Sequence, residues 1–83
     1  MKVLYFAWLR TKTGLAEETV SPPAEVRTVA ELAGWLSQRS AGHAEALADL
    51  ETVRCAVDQE YAQPEDSIAE AGEVAFFPPV TGG

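Results

Sequence analysis

The chain is short of cysteine, histidine, basic residues and long apolar runs, and each shortage removes a class of explanation. Cys55 is the only cysteine, so no disulfide can form within the chain, and a lone thiol suits a reducing compartment. Its neighbour Arg54 alternates to the opposite strand face, which leaves nothing beside Cys55 to stabilise a thiolate and makes it a small core residue. His43 is the only histidine, with no Cys or His at ligand spacing. It reads as a surface residue in a glycine-containing loop, and no metal site is expected. No Ser, His, Asp set suggests a triad, and no glycine-rich loop is built to cradle phosphates, so the chain alone should catalyse nothing. Six Lys and Arg stand against thirteen Asp and Glu, a net charge of −7. Six scattered cations do not make a phosphate-binding stripe, which argues against nucleic acid and fits either solubility or a basic protein partner. No apolar run approaches the ~20 residues of a membrane span. The apolar start, Met1 to Leu9, is short and lacks a small-residue cleavage site, so a cytoplasmic location is expected.

With 83 residues the chain has room for one small core, and a domain of this size buries only ~60% of its unfolded surface. Lys2 to Leu9 (KVLYFAWL) is rich in β-branched and aromatic residues, with both alternating sets apolar. It predicts a strand that is central, or that packs one face on the core and the other on a partner. Arg10 to Ala16 reads as a turn and Glu17 to Ser21 as a short return strand, closed by Pro22 and Pro23. Glu17-Glu18 and Glu65-Asp66 read as solvated turns. "TVAE" at Thr28 to Glu31 has the form of a capping box and starts a helix at Val29, with Val29, Leu32, Ala33 and Leu36 on one face. Ser40 to Gly42 breaks it, and Ala44 to Leu50 forms a second short helix. Val53 to Val57 is a strand, Asp58-Gln59 a turn, Glu60 to Ala62 a short strand, and Ile68 plugs the core. Gly72 leads into the last strand, Glu73 to Phe77. Strands on both sides of one main helix in so short a chain predict an α+β sheet curled around that helix.

The final stretch, "EVAFFPPVTGG" from Glu73 to Gly83, combines three devices. Pro78 and Pro79 lack amide hydrogens, so the strand ladder stops at Phe77 and the chain leaves the sheet. Pro78 to Gly83 can span roughly 20 Å when extended, enough to enter another protein's cleft. Gly82 and Gly83 give the least cross-section, which matters if the terminal carboxylate itself reacts. That carboxylate can attack the α-phosphate of ATP, and the acyl-adenylate is then open to sulfur or amine nucleophiles. Without a phosphate-binding loop here, a separate activating enzyme must hold the ATP. The bland alternative is a frayed, inert end.

The same string resembles the C-terminus of the small subunits of molybdopterin synthase, ubiquitin-like sulfur carriers of the β-grasp fold. "KVLYFAWLR" at Lys2 to Arg10, "TVAEL" at Thr28 to Leu32 and "AVDQ" at Ala56 to Gln59 extend the likeness over nearly the whole chain. Asp58 stands where that family commonly has Asn, and Trp8 is bulkier than its counterpart. The resemblance implies an α+β β-grasp domain over 1–77, with a mixed sheet of four to five strands around one main helix and a short second one. It implies an extended reactive tail over 78–83. It further implies that an E1-like enzyme uses ATP to adenylate Gly83 and that a sulfurtransferase system converts the adenylate to a glycyl thiocarboxylate. The large synthase subunit then receives the tail, and the sulfur attacks cyclic pyranopterin monophosphate on the way to the molybdopterin dithiolene. Gly82 and Gly83 carry this chemistry, with no cofactor bound by the chain. Phe6, Arg10, Tyr61, Phe77, Pro78, Pro79, Val80 and Thr81 are the implied partner-binding residues, within a heterotetramer containing two large subunits.

Physics supports part of that face, since Phe6 and Arg10 four apart share one side of a strand. A one-residue slip would instead expose Tyr5 and Phe76. The other open readings are a carrier for thiamine, cysteine or transfer-RNA sulfur, a ubiquitin-like modifier joined through Gly83 to lysines, and an interaction domain with an inert tail.

Overall fold

A computed structural model describes residues 1–79. The order is β1 (Lys2–Tyr5), α1 (Trp8–Thr13), β2 (Glu17–Thr19), α2 (Val29–Ser37), α3 (Ala41–Ala46), β3 (Arg54–Val57), β4 (Glu60–Ala62) and β5 (Glu73–Phe77). The five strands form one mixed sheet in the order β2-β1-β5-β3-β4. β1 and β5 run parallel at its centre, with Tyr5 opposite Phe76, and the other pairs are antiparallel. The expected α+β architecture is therefore present, and among the described residues no helix is long and apolar enough to cross a membrane.

Strand alternation sets the core. Val3 and Tyr5 from β1, Cys55 from β3, and Val74 and Phe76 from β5 point to one side, where Leu9, Val29, Leu32, Ala33, Leu36, Ala46, Leu47 and Ile68 close over them. Tyr5 and Phe76 stack with ring centres 6.2 Å apart. α2 starts where its sequence says it must: Thr28 accepts from the Glu31 amide and the Glu31 carboxylate accepts from the Thr28 amide. Its predicted apolar face is the buried one. Cys55 is buried, and burial, helped by the charge of Asp66, pushes its thiol up to about 12. It is a protonated core thiol.

Two helices depart from the expectation. The predicted strand through Leu9 ends at Tyr5, because Ala7 takes φ 55° and turns the chain into α1. Leu9 then enters the core from a helix, and Arg10 sits on α1 rather than on the first strand beside Phe6. Gly14, at φ 78°, closes α1 by donating to the Arg10 carbonyl. α3 begins at Ala41, not Ala44, because the Ser40 hydroxyl caps it by accepting from the His43 amide. Gly42, read as part of a helix break, lies inside α3, and a Cβ there would sit 2.0 Å from the Lys12 carbonyl oxygen. The α1–α3 packing needs a glycine at this crossing.

His43 and Glu18 also differ from their sequence reading. His43 is buried, and Glu18 points inward from β2 with its side chain 10% exposed. Glu18 Oε2 accepts from the Tyr5 hydroxyl at 2.8 Å and lies 2.7 Å from His43 Nε2, while Arg39 Nε is 3.1 Å from Oε1. An ionised carboxylate only accepts, so Nε2 carries a hydrogen, and Nδ1 lies 2.7 Å from the Ser40 hydroxyl. The cluster ties β1, β2 and α3 to the end of α2. Glu18 cannot be a solvated turn residue, because alternation in β2 puts it on the side of buried Val20.

Burial is the largest single influence on the Glu18 carboxyl and pushes it up. The hydrogen bonds from His43 and Tyr5 and the charges of His43 and Arg39 together outweigh it and hold the group below its ordinary 4.5. The folded form therefore binds fewer protons than the unfolded chain once pH drops below that value, and acid favours unfolding. The stabilisation is complete above pH 4.5 and is lost as pH falls through the folded value. Glu18→Gln should cost about 1–3 kcal/mol at neutral pH, and its deficit relative to the wild type should shrink as pH falls below 4.5. Urea midpoints measured across pH check this, and a deficit that stays constant would contradict it.

Candidate functional site

The sheet face opposite the core is where a partner can act. Alternation places Leu4 of β1, Ala75 and Phe77 of β5, Arg54 and Ala56 of β3, and Tyr61 of β4 on that side. The pairing register aligns Leu4, Ala75, Ala56 and Tyr61 across four strands. Ala75 is buried yet stands outside the core cluster, as expected for a small residue shielded by its outward neighbours. Phe6 is 47% and Tyr61 81% exposed, large values for residues of this kind. The result is an apolar band that contributes nothing to the domain's own core.

Phe6 continues the β1–β5 ladder by one bond, its amide donating to the Phe76 carbonyl. That bond sets it beside Phe77, so the end of β5 is flanked by aromatic rings. Tyr61 and Phe77 meet with ring centres 5.8 Å apart. Phe6 and Arg10, although on different elements, line one shallow hollow of about 290 Å³ with Leu4 and Ala7. A second hollow of similar volume is lined by Arg54, Tyr61, Gln63 and Phe77. The four residues expected on the partner face therefore divide between two depressions, Phe6 and Arg10 in one along β1 and β2, and Tyr61 and Phe77 in the other between β4 and the end of β5. Pro78 is half-buried and Pro79 exposed. Val80, Thr81, Gly82 and Gly83 lie outside the described residues.

The slip of one residue does not occur, since Tyr5 and Phe76 are buried while Phe6 and Phe77 face outward. Sequence reading placed Arg54 on the face opposite Cys55 without joining it to the partner residues, and missed Leu4, Ala56 and Ala75. Two-residue alternation from Phe77 and across the β3–β5 register was the available signal. Asp58 supports the same region from behind. It and Gln59 hold φ 49° and 70° in the β3–β4 turn, and Asp58 Oδ1 accepts from the Gly72 and Glu73 amides at 3.0 Å each. The position needs an acceptor oxygen, which Asp supplies as well as Asn would, so the start of β5 is anchored.

The face assignment gives a paired test. Phe76→Ala should lose about 3–5 kcal/mol through cavity formation, whereas Phe77→Ala should lose about 1 kcal/mol. Urea unfolding of the two variants decides, and equal losses would mean that the strand parity is wrong.

Comparison with known proteins places this geometry in a family. The ThiS family model matches residues 3–83. A Chlamydomonas reinhardtii protein named molybdopterin synthase sulfur carrier subunit is 35% identical over 85 residues, covering 100% of this chain and 98% of its own. An Escherichia coli protein of the same name is 37% identical over 83 residues, covering 100% of this chain and 99% of its own. Among solved structures, a Pyrococcus furiosus protein described as molybdopterin converting factor subunit 1 superposes with a TM-score of 0.75 at 29% identity, covering 95% of each chain. With likeness in sequence and backbone running the length of the domain, this chain belongs to the ThiS family.

Proposed function

We propose that this chain is the sulfur-carrier subunit of a molybdopterin synthase and that its working group is the carboxyl of Gly83. The observation that carries the proposal is full-length similarity to carriers of that name. The apolar band around Phe6, Tyr61 and Phe77 supports it, because an unused apolar face at the root of the tail suits docking on a large subunit.

The chemistry is set by what a terminal glycine can and cannot do. With a pKa of ~3.3–3.7 an α-carboxyl is ionised at neutral pH and is a poor electrophile. An E1-like partner supplies ATP, the Gly83 carboxylate attacks its α-phosphate, and pyrophosphate leaves. The outer sulfur of a sulfurtransferase persulfide then attacks the acyl carbon and AMP departs; a thiol cleaves the resulting acyl disulfide, leaving a thiocarboxylate. The body docks on the large subunit through its apolar band while Pro78 to Thr81 lead Gly82 and Gly83 into the cleft. There the sulfur attacks cyclic pyranopterin monophosphate, and water cleaves the acyl–sulfur bond, leaving the sulfur on the pterin and returning Gly83 as a carboxylate. Two sulfurs complete the dithiolene, so each carrier leaves after one transfer and is recharged. A heterotetramer with two large subunits in the cytoplasm belongs to the same proposal.

Glycine suits this task because it has no side chain to obstruct a narrow channel. Ordering each backbone residue costs ~1–2 kcal/mol, which keeps insertion reversible. Intact-mass measurement after incubation with an E1-like enzyme, ATP and a sulfur donor should show one oxygen replaced by sulfur at Gly83. Adducts linked to lysine would point to a modifier instead, and an unchanged mass under every charging condition would contradict the proposal.

A further inference from the structure

Cations are scarce in this chain, and their distribution over the fold is uneven. Lys2 pairs with Glu17 at 3.2 Å, Lys12 with Glu45 at 3.7 Å, and Arg39 with Glu18 at 3.1 Å. Arg27 sits close enough to Glu31 for its charge to help hold that carboxyl down, after the hydrogen bond from its own backbone amide. Among the described residues, Arg10, Arg27 and Arg54 have no carboxylate within ion-pair distance, and of these Arg10 and Arg54 lie by the sheet face opposite the core. These two line the two hollows, Arg10 with Phe6 along β1 and Arg54 with Tyr61 beside the end of β5. An acidic molecule of net charge −7 thus keeps two uncompensated guanidinium groups by this face.

Arg54 is the informative member of the pair. It stands opposite Phe77 in the β3–β5 register, on the outward face. One guanidinium nitrogen, Nη1, donates to the Glu51 carbonyl at 3.1 Å, which steadies the side chain without neutralising it. The Tyr61 and Phe77 rings form the other walls of its hollow, together with Gln63. A planar guanidinium held beside apolar surface is suited to a two-pronged contact with a carboxylate and is more weakly hydrated than a lysine ammonium. Because the carrier as a whole is acidic and repels acidic surface, a carboxylate on the partner is favoured where it meets Arg54 or Arg10, and these charges bias how the carrier is oriented.

We infer that Arg54 is a contact and specificity residue for the large synthase subunit, its guanidinium facing a carboxylate on the rim of the cleft that receives the tail. The inference rests on the proposed function, since it takes the large subunit as the occupant of this face. Arg54 acts on docking and register and touches no reacting atom.

The test is calorimetric titration of the full carrier against the large subunit of the same organism, at low and at physiological salt. Wild type is compared with Arg54→Gln, Arg54→Glu and Arg27→Glu. The last adds the same charge change on the helix side of the sheet. Arg54→Glu should weaken binding roughly tenfold or more, Arg54→Gln by a few-fold with a flatter salt dependence, and Arg27→Glu by about twofold or less. Thermal melts accompany each variant. If Arg54→Glu fails to fold, Arg54→Gln decides. Equal affinities for Arg54→Glu and Arg27→Glu, or wild-type affinity and salt dependence for Arg54→Gln, overturn the inference while leaving the proposed function standing. A wild-type carrier that does not bind the large subunit at all removes the proposed function, and this inference with it.

Discussion

The parallel pairing of the first and last strands is the constraint on which the rest of the molecule depends. β5 enters the sheet beside β1 with Tyr5 opposite Phe76, and the two rings stack in the core. That register fixes the side of every other residue in both strands. Phe6 and Phe77 are turned out because Tyr5 and Phe76 are turned in. A parallel neighbour cannot be reached by a tight turn, so the chain between them must cross over, and α2 is the crossing element that covers the core. The end of the chain is thereby carried to the middle of the sheet, where Pro78 and Pro79 direct it away from the ladder.

A second device holds the β2 edge of the sheet. Edge strand β2 has only three residues and a two-proline exit, too little to hold itself in place by backbone pairing alone. The inward Glu18 carboxylate, gathering Tyr5, His43 and Arg39, anchors it to β1, α3 and the end of α2. No side-chain nitrogen or oxygen buried among the described residues lacks a partner. The polar network therefore fastens the strand without leaving an unsatisfied group in the core. This allows the opposite face to remain apolar and unused, a condition that only a partner can make favourable.

The features legible in the sequence were local ones. Thr28 and Glu31 specify the start of α2 between themselves, and the apolar spacing from Val29 to Leu36 specifies its buried face. Pro78 and Pro79 mark the end of β5 with equal clarity. α1 was hidden because KVLYFAWL is apolar at both parities. Its start has no side-chain cap, and Leu9 falls on the core side whether the segment is strand or helix. Gly14 after Arg10 and Lys12 was the local sign of a helix end. Ser40 was a cap in plain view, obscured by the glycine two residues later. The Glu18–His43 contact spans 25 residues, and no local pattern encodes it. On the partner face Phe6, Tyr61 and Phe77 announced themselves as aromatics. Arg54 was already turned away from Cys55 by alternation, but its place beside Phe77, like the membership of Leu4, Ala56 and Ala75, became visible only once the strand register was known.

The domain and the tail thus divide one task. Under the proposed function, the domain would supply the sheet and the apolar band used for docking, and Gly83 would supply the reacting carboxyl. This division requires Gly83 to be terminal and the domain to be indifferent to any residues added beyond it. The most direct measurement is dithiolene formation by reconstituted synthase using a carrier extended by two alanines after Gly83 and protected from trimming. The extended carrier should keep the wild-type melting temperature and bind the large subunit, yet yield no product. Product formation at the wild-type rate would contradict the claim that the carrier works through its last residue.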